Sequence, residues 1–240
     1  MWLFDQLVHA HIVTGTVGLI TMWLPVVGRK GTTRHKKWGR VFAWSMLLTG
    51  SIAIGISLCT LAYPLETHDF ADDAALVRGL FGYMMLYLAV LTIMLAHYGR
   101  LCIQNKRNHQ ANRTPLNLTL QALTFIAAAN CAIHGVLLKQ PLMVAISIVG
   151  LTAAVLNTRF ILSDSPPFNE WLIQHTRGLV GAGISVYTAF LAFGAVNTLP
   201  EYAFSPIVWA TPTVLGVSLL LYHQFKIEKQ RRRIAERARA

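Results

Sequence analysis

Charge is scarce in this chain: 13% of its 240 residues are charged and 54% hydrophobic, whereas a soluble domain carries about 25% charge. So little charge does not coat a water-facing surface, and the alternative is a surface facing lipid. Cysteine is nearly absent. Cys59, Cys102 and Cys131 show no C-x-x-C spacing, which leaves no zinc knuckle or thioredoxin-type centre and reads as three free thiols. There is no G-x-x-x-x-G-K-[ST] phosphate loop, no H-E-x-x-H zinc helix and no G-x-S-x-G nucleophile elbow. Acidic residues are almost missing from the apolar runs, which argues against a proton- or cation-coupled transporter. The last run has no mid-helix lysine to anchor a retinal. The first residues carry no basic n-region, so the first run reads as a retained span and not as a cleavable leader.

What the sequence does hold is apolar length. A span needs roughly 20 mostly apolar residues, and seven runs qualify, at about 8–27, 41–63, 77–98, 117–137, 141–161, 176–197 and 206–224. The expected fold is all-α: a seven-transmembrane-helix bundle over 1–225, then a basic tail over 226–240 that extends the last helix. The fourth and fifth runs are separated only by Leu138, Lys139 and Gln140, with Pro141 opening the next helix, where its missing N–H costs nothing. Small residues at packing spacing, Gly15 with Gly18, Gly50 with Gly55 and Gly178 with Ala182, mark faces where helices approach closely.

The few charges are sorted by side. Six basic residues (Arg29, Lys30, Arg34, Lys36, Lys37, Arg40) lie in the first connection and four in the third. Two more flank the fifth connection and seven lie in the tail, so 19 of the 21 lysines and arginines share one side. Asp5, Glu66, Asp69, Asp72, Asp73 and Glu201 lie on the other. The positive-inside rule then puts the first connection and the tail in the cytoplasm and the N-terminus outside. With the basic residues in short connections between spans, membrane lipid headgroups are the expected partner and nucleic acid is not. A membrane protein partner or a second copy of the chain is left open.

Nine histidines are the feature closest to chemistry. Ionisable groups at membrane depth are costly and often functional. None falls at the midplane, which argues against a proton path through the centre. His11 and His134 lie about four residues inside the outer ends of the first and fourth runs, at matched depth. His11 shares a face with Gly15 and Gly18, and His134 with Ala127, Asn130 and Cys131, so both are expected to point inward. On the basic side, His175 shares a face with Gly178, Ala182 and Ser185, and His35 and His223 lie nearby. Paired inward histidines suit a haem iron or a transition metal. His11 with His134 is the expected outer ligand pair. His175 with His35 or His223 is the inner one. This layout resembles transmembrane electron carriers with a haem on each side. Interfacial hydrogen bonding explains the same rings without a cofactor, and His9, His68 and His109 are read that way.

Three segments resemble the bacterial membrane proteins grouped as domain of unknown function 2306. They are His11-Ile12-Val13-Thr14-Gly15, then Lys30-Gly31 with His35 and Gly39-Arg40, then His175 with Gly178-Leu179-Val180-Gly181 and Thr188-Ala189-Phe190. The resemblance implies a polytopic inner-membrane protein with His11, His35 and His175 in the family pattern. It implies no reaction.

Two readings follow. One is a redox-associated bacterial inner-membrane protein binding haem b or a transition metal through these histidines. The other is a non-enzymatic accessory component with no cofactor, whose residues Arg29, Lys30, Arg34, Lys36, Lys37 and Arg40 bind lipid headgroups. A small-molecule transporter ranks third, because no broken-helix signal is present.

Overall fold

The computed structural model describes residues 2–191 and 205–237, and every regular element among them is helical. The long helices are α1 Trp2–Val27, α2 Thr33–Ala62, α3 Ala74–Gln104, α4 Pro115–Leu137, α5 Pro141–Leu162, α6 Glu170–Ala189 and α7 Pro206–Arg237. The first five are long and apolar enough to cross a membrane. The end of the expected sixth span, 192–197, lies outside the described residues, as do Glu201 and Arg239. α7 runs unbroken to Arg237, so the tail continues the last helix.

Local signals set the helix starts. Thr32 caps α2 by accepting from the His35 N–H at 3.3 Å, and Thr114 caps α4 by accepting from the Asn117 N–H at 3.2 Å. The Asp73 carboxylate accepts from the N–H groups of Ala75 and Leu76, which starts α3. Each cap satisfies an N–H that the first turn leaves unpaired. Pro115 and Pro141 sit at first-turn positions, where proline is tolerated.

α3 is the hub. It packs on α2, α4 and α6, while α1 packs on α2, and α7 on α6. The most apolar window of α3 is 67% buried, against 28–39% for the other four candidate spans. Its stretch Arg78–Met84 is π-helical. Small residues set the crossings. A Cβ on Gly178 would fall 2.6 Å from Gly99 Cα and 2.8 Å from Leu95 O, so α3 and α6 touch backbone to backbone. Gly15 and Gly18 face Thr49, Met46 and Ser45 across the α1–α2 crossing. The faces expected from the glycine spacing are therefore packing faces.

α4 and α5 form the expected tight hairpin. Lys139 takes a left-handed φ of 54°, and the Gln140 N–H donates to Gly135 O at 2.7 Å. The far end is closed by Arg113, whose guanidinium donates to Ile161 O, Leu162 O, Ser163 O and the Asp164 carboxylate. These are carbonyls that the last turn of α5 leaves free. Tyr87 of α3 donates to Ile146 O of α5 at 2.9 Å.

Candidate functional site at the basic end

The site begins with the carbonyls that end α1. Lys30 donates its ammonium to Pro25 O and Val26 O, and His35 Nδ1 donates to Pro25 O at 3.2 Å. Gly31, at φ 79°, turns the chain so that both reach back. The Lys30–His35 segment is thus a C-cap for α1. Lys30 is held below its usual pKa, by burial first and then by the charge of Lys226 on α7. His223 of α7 lies within electrostatic reach of the same two lysines.

His175 opens the next layer. Its Nδ1 donates to Gly99 O at 2.8 Å, across the glycine contact of α3 and α6. His35 lies within its electrostatic reach. Beside it, Tyr98 OH donates to Gln174 Oε1 at 2.9 Å, and Gln174 Nε2 donates to Glu170 Oε1 at 2.8 Å. Arg231 of the tail pairs with Glu170 Oε2 at 2.9 Å, and the two side chains are only 20% and 16% exposed. Arg177 donates to Gln224 at 2.7 Å. The tail is therefore latched onto α6 by a mostly buried polar chain.

His35 and His175 lie within electrostatic reach of each other, whereas the outer histidines turn to different helices. His11 Nδ1 donates to Thr49 O of α2 at 3.3 Å. His134 Nδ1 donates to Asn130 O of its own helix at 3.0 Å, and its ring stacks on Tyr83 of α3 with 3.9 Å between centroids. α1 and α4 do not form a packed pair. Among the described residues, no group of three or more His, Cys, Asp or Glu side chains is placed to hold a metal ion. In all four histidines Nδ1 faces a carbonyl, which only accepts. Nδ1 therefore carries the proton, and Nε2 of the neutral ring keeps its lone pair.

Of the lipid-headgroup candidates, Lys30 is spent on the α1 cap. Arg29, Arg34, Lys36, Lys37 and Arg40 are exposed, and none has a carboxylate within ion-pair distance among the described residues. Lys37 and Arg40 form one end of a groove of about 600 Å3 between α1 and α2. A second depression, about 200 Å3, lies between the 105–112 segment and Trp171. His68, at the opposite end of the bundle, is 9% exposed among Phe4, Phe70 and Phe81, in keeping with a packing role. Glu170, Gln174 and Arg231 were not foreseen from sequence. Their only signal was polar residues next to His175 and a tail arginine that needed a partner.

An all-helical bundle with five helices fit to cross a membrane defines a multi-pass, membrane-embedded protein. No family model matches the chain, and no curated protein or solved structure matches it either.

Proposed function

We propose that the chain is a seven-span bacterial inner-membrane protein with its N-terminus outside and its basic end in the cytoplasm, and that it works as an accessory component binding anionic phospholipid at that end. One observation carries this reading. Four ionisable side chains at the basic end are engaged within the protein: His35 and Lys30 on the α1 cap, His175 on the α3–α6 crossing, and Arg231 on the tail latch. The exposed Arg29, Arg34, Lys36, Lys37 and Arg40 keep their charge for an anion outside the protein. Juxtamembrane basic residues of this kind attract anionic headgroups at about 1 kcal/mol each. The test is the thermal stability of the detergent-purified protein with added lipid. Phosphatidylglycerol raises Tm, phosphatidylcholine does not, and salt weakens the difference. Equal shifts with both lipids would overturn the reading.

The kinship with domain of unknown function 2306 is proposed on the same footing. The motifs behind it carry a physical role here: His11 and His175 each donate to a carbonyl across the crossing where Gly15 or Gly178 lets the helices meet.

A haem at the basic end is the second reading. It is motivated by His35 and His175 lying within electrostatic reach of each other, each with Nδ1 on a carbonyl and so a lone pair on Nε2. Donation from Nδ1 to a carbonyl is the usual support of a metal-ligating histidine. Two ligands suit haem, whose porphyrin supplies the other four, better than a bare transition metal, which needs a third side chain. Oxidised and dithionite-reduced visible spectra decide it. A Soret band that shifts on reduction, and is lost in His175→Ala, supports haem, and a featureless spectrum from haem-supplied cells removes it.

A further inference from the structure

The groove between α1 and α2 has one wall from each helix. Val13, Thr14 and Val17 share a face of α1, while Lys37, Arg40, Trp44 and Leu48 follow each other at helical spacing along α2. Its only hydroxyls are turned inward on their own helices. Thr14 donates to Ala10 O and His11 O, and Ser45 donates to Phe42 O. The walls that remain are apolar. No carboxylate lines the groove among the described residues. Its volume falls in the range of small-ligand sites, about 300–1,000 Å3.

The two charges that line the groove, Lys37 and Arg40, sit at one end of it. From Arg40 to Leu48 the groove runs about 12 Å down the helix, at about 1.5 Å per residue. Trp44 and Leu48 stay exposed, at 55% and 53%.

We propose that this groove holds one anionic phospholipid, its phosphate between Lys37 and Arg40 and an acyl chain along Val13, Val17, Trp44 and Leu48. The proposal rests on the lipid-binding reading above and names its site. An occupant must offer negative charge at the basic end and hydrocarbon below it. An apolar partner helix leaves the cations unanswered. A second copy docked side by side brings Lys37 and Arg40 against their own kind.

The test uses the full chain in detergent, with retention of phosphatidylglycerol against phosphatidylcholine read by native mass spectrometry. Lys37→Gln with Arg40→Gln weakens phosphatidylglycerol binding about 30-fold, the effect of two headgroup contacts. Val17→Trp fills the groove without touching the charge and also lowers retention. The control, Arg232→Gln with Arg233→Gln, removes the same charge from the exposed tail and leaves retention within about twofold. Free glycerol phosphate does not compete with the lipid, because it lacks the chain. Equal losses in the groove and tail variants, or full retention in Val17→Trp, overturn the site while the broader reading stands. No preference for phosphatidylglycerol in the unmodified protein overturns both.

Discussion

Replacing Gly178 with alanine tests the packing of the bundle at its tightest point. The added Cβ would meet Gly99 Cα at 2.6 Å, Gly99 N at 2.7 Å and Leu95 O at 2.8 Å. All three are backbone atoms, so no side chain rotates away and α3 and α6 must separate. Overpacking of this kind costs about 1–3 kcal/mol. Separation also stretches the bond from His175 Nδ1 to Gly99 O, now 2.8 Å, whose loss costs about 1 kcal/mol. At about 2–4 °C per kcal/mol for a chain of this size, Tm falls on the order of 10 °C. The assay is detergent thermal stability followed by size-exclusion chromatography. Gly39→Ala is the matched control, because nothing lies within 4 Å of a Cβ there, and it leaves Tm unchanged or slightly raised. A Gly178→Ala protein that melts with the unmodified one would refute the backbone-contact argument.

Further outcomes are expected elsewhere. Arg231→Gln removes the partner of Glu170 in a mostly buried pair, costs about 2 kcal/mol, and frees the tail; trypsin then cleaves it several times faster, and an unchanged rate would show that the latch does not hold it. Burial keeps the His68 pKa below its usual 6.5, with Asp69 pulling weakly the other way. Its stabilising contribution is therefore complete above pH 6.5 and is lost as pH falls through the lower folded-state value. Thermal stability measured between pH 7.5 and 5 declines in the unmodified protein and is flatter in His68→Leu; parallel profiles would remove His68 as the cause. In a background lacking Cys59, Cys102 and Cys131, Asp72→Cys reacts with an impermeant thiol reagent in intact cells and Arg232→Cys only after permeabilisation. The reverse pattern would invert the orientation.

Hydropathy located the helices but not their ends. α2 begins at Thr33 although the apolar run begins near 41, and α3 spans Ala74–Gln104 around a run at 77–98. Apolar length measures hydrocarbon thickness, whereas a helix continues through the polar interface until a cap stops it, as Thr32 and Asp73 show. Helix faces were also legible, since His11 and His175 do lie on packed crossings. Depth and face are properties of one helix, however, and a site needs to know which helix stands opposite. His11 and His134 match in depth yet turn to α2 and α3, because α1 and α4 do not pack together. The Glu170–Arg231 pair bridges 61 positions, a separation at which no local pattern points from one residue to the other.

The Arg113 clamp bears on how the chain is assembled. α5 packs chiefly on α4; it also meets the 109–112 turn, the α3 side chains Tyr87, Met94 and Tyr98, and Arg113, which gathers the carbonyls at its end. With a tight turn at one end and an arginine at the other, α4 and α5 are closed into a hairpin that satisfies its own termini. Such a pair can enter the bilayer as a single step and dock afterwards onto α3. Loss of Arg113 would then show first in biogenesis, as poor membrane insertion of the fifth helix, before any effect on the finished bundle.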